Sequence, residues 1–155
     1  VSVSRTATGT ATLPYWVTPT LLTTRTSEVE PNDTTNQATL FTGPDVVICG
    51  ALGTVTDFTD IFIFTISQPA RIQAELIESM GGSMPTCESN LISSRLELLS
   101  GAGLGIASNT TGGRGLCSRI DESAPQPAGT YFLRITESFT TTRRGFPYCV
   151  AVRLR

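Results

Sequence analysis

The sequence contains no histidine and no lysine, and all eleven of its cations are arginine. Without histidine there is no Ser/His or Cys/His nucleophile pair and no His-containing zinc site. No G-x-S-x-G or S-x-x-K segment supplies another nucleophile motif. No two cysteines stand as C-x-x-C, which argues against zinc and thioredoxin-type chemistry. Charged residues make up 15% of the 155 and the net charge is −2, so there is no basic footprint for nucleic acid. No apolar run approaches the roughly 20 residues that span a bilayer. The chain opens at Val1 with neither Met nor a signal-like apolar stretch, which reads as a mature, processed product or a piece cut from a longer chain. The expectation is a non-catalytic protein. Carboxylate-only chemistry is the one enzymatic route left open.

Against this sparse background, acidic residues gather in two places. One is Glu28-Val29-Glu30-Pro31-Asn32-Asp33 and the other is Asp57-Phe58-Thr59-Asp60, just ahead of the apolar run Ile61-Phe62-Ile63-Phe64. Carboxylates brought together without a cation repel one another, and a hard divalent ion reverses that cost. Ca²⁺ takes six to eight oxygen ligands and needs neither nitrogen nor sulfur. On an extended backbone Glu28, Glu30 and Asn32 share one side, while Asp33, Asp57 and Asp60 can add oxygens from turns. The pattern reads as a calcium site. The competing reading is a set of solvated loop acids, with Asn32-Asp33 capping a turn.

The four cysteines, at 49, 87, 117 and 149, allow three pairings. An even count in an exported chain suggests two disulfides. Cys87 and Cys117 flank the apolar block Leu91 to Ala107, and Cys49 and Cys149 lie inside apolar strands. These placements favour Cys87–Cys117 and Cys49–Cys149. Four buried free thiols are the alternative.

Elsewhere the pattern is strand and turn. Candidate strands cover Val46–Leu52, Ile61–Ile66, Arg71–Glu78, Leu96–Leu99, Ile106–Ala107, Leu116–Ile120, Thr130–Ile135 and the segment of Tyr148, Val150, Val152 and Leu154. The continuous run Ile61–Ile66 predicts a central strand buried on both faces, and one helical turn could follow Pro31. Seven or eight short strands with no convincing helix predict an all-β antiparallel sandwich.

Residues 1–27 stand apart as an extended N-terminal arm, with the sandwich assigned to 28–155. Val1, Val3, Ala7, Gly9, Ala11 and Leu13 alternate with Ser and Thr, and Tyr15 and Trp16 follow. A low-charge strand of this kind cannot fold alone and must pair with a sheet edge, its own or a neighbour's.

From Glu28 to Arg155 the chain resembles the bacterial pre-peptidase C-terminal domain. The matching features, in order, are the Glu28–Asp33 motif, Gly50-Ala51-Leu52, Asp57 and Asp60 before Ile61–Phe64, and Leu96–Leu99. Ala128-Gly129-Thr130-Tyr131-Phe132-Leu133-Arg134-Ile135 and Tyr148–Val152 complete the series. The resemblance implies a secreted, jelly-roll-like β-sandwich, usually attached to an extracellular peptidase. Many members bind calcium, and those of clostridial collagenases bind collagen. It also implies a Ca²⁺-ligand role for Glu28, Glu30, Asn32, Asp33, Asp57 and Asp60. The cysteines and the arm depart from the family pattern.

Two functions follow. The first is a calcium-stabilised extracellular structural or adhesive module, a homopolymer subunit assembling by exchange of the N-terminal strand. The second is an accessory domain of a secreted peptidase that binds a protein ligand such as collagen.

Overall fold

Alternation of apolar and polar residues sets the strands, and glycine and proline end them. The computed structural model describes residues 24–53, 56–78, 87, 92–122, 124–138 and 145–155. Among these are ten strands and no α-helix. In chain order they are β1 (Thr24–Ser27), β2 (Thr39–Leu40), β3 (Asp45–Leu52), β4 (Thr59–Ile66), β5 (Ile72–Glu78), β6 (Ser94–Ser100), β7 (Gly105–Asn109), β8 (Arg119–Asp121), β9 (Gly129–Glu137) and β10 (Phe146–Leu154). They form two five-stranded sheets, β1-β3-β10-β5-β8 and β2-β4-β9-β6-β7.

The sheets face each other across one apolar core. The first contributes Ile48, Ile72, Leu76, Val150 and Val152, and the second Phe62, Phe64, Leu96, Leu98, Leu133 and Ile135. Ile72, Ala74 and Leu76 all point inward, as their spacing predicts. Phe41 stacks on Phe64 with ring centroids 4.9 Å apart. Strand β4 carries buried side chains on both faces, Ile61 on one and Phe62 and Phe64 on the other. It is not central, however: β9 holds the middle of its sheet, and β4 is flanked on its outer side by the two-residue β2.

Other departures from expectation lie at the edges. The sandwich is antiparallel except where β1 runs parallel to β3 and β2 parallel to β4. These edge strands of four and two residues are too short to carry a readable alternation. Thr24–Ser27, the last four residues of the expected arm, are themselves β1 and pair with Val46–Cys49. The other arm residues, Val1, Val3, Ala7, Gly9, Ala11, Leu13, Tyr15 and Trp16, lie outside the described residues. After Pro31 the chain makes a turn closed by the Gln37 N–H donating to the Thr34 carbonyl at 3.0 Å, with no helix.

Cys49 is bonded to Cys149 and Cys87 to Cys117. The first bridge joins directly opposed residues of the neighbouring strands β3 and β10. The second ties Cys87 to the segment before β8, where Ser94 and Ser118 hydroxyls meet at 2.8 Å in a buried pair. Two disulfides fit an oxidising compartment. No helix among the described residues is long and apolar enough to cross a membrane.

The two bridges close loops of different length, spanning sequence separations of 100 and 30. Loop entropy gives about 4.7 and about 3.6 kcal/mol respectively. Removing Cys49–Cys149 by paired Ser substitution should therefore lower the urea midpoint more than removing Cys87–Cys117. Equal losses in equilibrium unfolding would contradict this ranking.

Candidate metal centre

The segment after β1 runs against the usual rule of burial. Alternation turns Val29 outward, where it is 68% exposed, and turns the flanking Glu28 toward the sandwich. Backbone contacts hold this arrangement. The Glu28 N–H donates to the Cys49 carbonyl at 3.0 Å, continuing the β1–β3 ladder. The Glu28 carboxylate accepts from the Ala51 N–H at 2.8 Å. It lies directly over Gly50, where a Cβ would overlap it, so the absence of a side chain at position 50 creates its seat.

The Glu30–Pro31 peptide bond is cis. Asn32 follows, fully buried. Its carbonyl accepts from the Ile61 N–H at 3.0 Å, and its own N–H donates to the Glu30 carboxylate at 3.1 Å. Thr39 braces the loop: its hydroxyl accepts from the Val29 N–H at 3.0 Å and donates to the Val29 carbonyl at 3.1 Å. The acidic loop is thus fixed to β4 on one side and to β3 on the other.

Asp60, in β4, is fully buried beside it. One oxygen each of Glu28, Glu30 and Asp60 lie within 4.8 Å of one another, close enough to share a metal ion. Tyr148 of β10 closes the floor. Its buried hydroxyl donates to Asp60 Oδ2 at 2.5 Å and approaches Glu28 Oε2 at 3.3 Å.

Of the six expected ligands, Glu28, Glu30 and Asp60 form this close trio. Asn32 lies inside the same loop. Asp57 and Asp33 are outside the trio, although Asp57 raises the pKa of Glu30 and Asp33 raises that of both Glu30 and Asp57. Asp33 also lines a surface groove with Arg95, Glu97 and Arg134.

Among the described residues, three buried side-chain oxygens have no hydrogen-bond partner: Asn32 Oδ1, Asp57 Oδ1 and Asp60 Oδ1. Buried polar atoms without partners are rare in native proteins, and all three belong to the expected ligand set. Such oxygens fit a hard cation, which prefers this donor chemistry. The charges agree. Burial, reinforced by Glu28, Asp57 and Glu30, pushes the Asp60 carboxyl up to about 9 despite the Tyr148 hydrogen bond. Burial also raises Glu28, Glu30 and Asp57, and neighbouring carboxylates add to each, while backbone N–H groups of Ala51, Asn32 and Gly53 respectively offset part of the rise. An acidic site that resists ionisation when bare is one a cation would stabilise.

Tyr148, Thr39 and Gly50 were not anticipated. In sequence Tyr148 is one of the alternating residues Tyr148, Val150, Val152 and Leu154, with no ligand motif around it. The available signal was its phenol, since a fully buried tyrosine hydroxyl needs a partner.

The chain matches no protein-family model and no curated protein. Among solved structures it is similar to the pre-peptidase C-terminal domain of a collagenase from Bacillus anthracis. The TM-score is 0.52 at 15% identity, over 83% of this chain and 100% of that one. This chain has the fold of a pre-peptidase C-terminal domain. The same fold likeness extends to PliG of Aeromonas hydrophila, a periplasmic lysozyme inhibitor of g-type lysozyme. There the TM-score is again 0.52 at 15% identity, over 76% of this chain and 96% of that one. Within the pre-peptidase C-terminal fold, the acidic site stands on this chain's own residues.

The raised carboxyl groups give the bare protein a defined pH response. A group whose pKa is higher folded than unfolded stabilises the fold fully below its unfolded value, about 4 for Asp and Glu. That contribution is lost as pH rises through the folded value, here up to about 9 for Asp60. In chelator, the melting temperature should fall as pH rises from about 4 to about 9, and Asp60→Asn should flatten that fall. A melting temperature that climbs over the same range in chelator would contradict the assignment.

Proposed function

We propose that this protein is a non-catalytic extracellular module whose sandwich is stabilised by Ca²⁺ at the Glu28/Glu30/Asp60 site. Asn32 and Asp57 supply further oxygens and Asp33 a flanking charge. The observation that carries the reading is the coincidence of three partnerless buried oxygens with the residues expected as ligands. Calcium is favoured over magnesium because the donors are carboxylates and an amide on a loop, able to give a high and irregular coordination number. The absence of histidine supports a non-catalytic role.

The module's N-terminal segment is the second element of this reading. Strand β1 pairs from Thr24, opposite Val46, and β3 begins one residue earlier at Asp45. Residues 1–23 therefore have essentially no length of β3 left beside which to continue. An alternating strand in that position is suited to pairing with another copy, and a head-to-tail contact of this kind propagates into a filament. The fold likeness to a collagenase domain favours a second reading, an accessory domain that binds an extracellular protein.

Calcium should raise the melting temperature and chelator should reverse it. Binding to the native state alone adds about 2.7 kcal/mol at a hundredfold excess over Kd. Asp60→Asn and Gly50→Val should each abolish the response, the first by removing a donor and the second by displacing Glu28. A wild-type melting temperature indifferent to calcium would contradict the metal assignment.

Size-exclusion chromatography and electron microscopy test the assembly. The intact chain should form polymers, and a chain lacking residues 1–23 should be a folded monomer. A monomeric intact chain would turn the balance to the accessory-domain reading.

A further inference from the structure

The acidic site and one disulfide occupy adjacent rows of the same sheet. The register of β3 and β10 sets Gly50 opposite Tyr148 and, one residue along, Cys49 opposite Cys149. Both members of the first row belong to the site. Gly50 leaves room for the Glu28 carboxylate, and Tyr148 carries the hydroxyl that meets Asp60 and Glu28. Ile48, Tyr148 and Val150 lie in the core, so alternation turns Cys49 and Cys149 to the outer face. The bridge therefore supplies no ligand. It lies directly behind the site and joins the two strands that carry Gly50 and Tyr148.

Three contacts tie the site to this pair of strands. The Glu28 N–H donates to the Cys49 carbonyl at 3.0 Å and the Glu28 carboxylate accepts from the Ala51 N–H at 2.8 Å, so β3 grips Glu28 from either side of Gly50. From β10, the Tyr148 hydroxyl reaches Glu28 Oε2 at 3.3 Å. These positions depend on the offset between β3 and β10. In the row of the site no cross-strand packing maintains that offset, because Gly50 has no side chain to set against Tyr148. The covalent bond in the next row fixes it instead. Cys87–Cys117 has no such relation to the site: Cys117 precedes the edge strand β8, which β5 separates from β10.

We propose that the Cys49–Cys149 bridge is a positioning device for the metal centre, and that its redox state sets the affinity of that centre for calcium. The inference rests on the calcium reading of the site. Reduction by a dithiol opens the bridge in two steps. One thiolate attacks a bridge sulfur and the other cysteine leaves with the bonding electrons. Closure of the reductant's own disulfide then releases the second cysteine, so two electrons and two protons end on the protein as two thiols. Cys49 is half-buried and Cys149 is buried, which makes the Cys49 sulfur the point of entry. With the bond open, only ladder hydrogen bonds hold Tyr148 against the strand that anchors Glu28, and the oxygens lose their single arrangement. Coupling of this kind is reciprocal: the bridge is protected from reduction by bound calcium to the same factor by which it tightens calcium binding.

Calorimetric titration of calcium into the chelator-stripped full chain reads the affinity. The paired substitution Cys49→Ser/Cys149→Ser should weaken it about tenfold, within the ordinary range of coupling between sites, while Cys87→Ser/Cys117→Ser leaves it unchanged. Circular dichroism checks that each variant is folded. Should the first variant fail to fold, dithiothreitol titration of the wild type decides, with alkylation and peptide mapping to identify which bridge has opened. Saturating calcium should raise the dithiothreitol midpoint severalfold for Cys49–Cys149 and much less for Cys87–Cys117. A bridge that served global stability alone would gain no more protection than the other. Unchanged calcium affinity in the folded Cys49→Ser/Cys149→Ser variant, or equal protection of both bridges, would overturn the proposal. A wild type that takes up no calcium would instead remove the calcium reading, and this inference with it.

Discussion

Near β1 the chain places a valine in solvent and carboxylates against the sandwich, the reverse of what the hydrophobic effect selects. Glu28 and Asp60 share the hydroxyl of one buried tyrosine, and Glu30 has an oxygen within the same small volume. Desolvation and like-charge repulsion both oppose ionisation there. Such a site persists with its carboxylates charged only if positive charge enters it. The local architecture follows from this constraint: a glycine that makes room for Glu28, a threonine that ties down the loop, and an asparagine amide held inside it.

The site also has a mechanical consequence. Glu28 follows β1 on the edge of one sheet, Asp60 is the second residue of β4 in the other, and Tyr148 rises from β10 across the interior. A cation held by the acidic oxygens would therefore join the two sheets at an edge where β1 and β2 supply only four and two residues. The opposite side of the sandwich is secured differently, by Cys87–Cys117 and the buried Ser94–Ser118 pair. One covalent and one ionic clasp would thus serve the two sides.

Much of this was readable from residues alone. The acidic motif, the strand run Ile61–Phe64 and the inward rows of β5 and β10 follow from spacing, because side-chain direction in a strand is fixed by parity. The family resemblance and the fold agree. What was hidden depends on distance in three dimensions. Nothing in the local sequence around Tyr148 distinguishes a core phenol from one that meets Asp60, 88 residues away. Gly50 reads as an ordinary strand glycine until Glu28 is placed over it. Asp33 and Asp57 share the motif with the trio, but turn geometry sets them at its margin, and parity says nothing about turns. Strands β1 and β2 escaped notice because two to four residues hold too little pattern.

The central claim is that Asp60 of the bare protein holds a proton that a cation displaces. Isothermal titration calorimetry of calcium into chelator-stripped protein at neutral pH, repeated in buffers of different ionisation enthalpy, measures this directly. Saturable binding with heats that differ between the buffers, corresponding to net proton release, is the predicted result. No binding, or binding with no proton release, would contradict it.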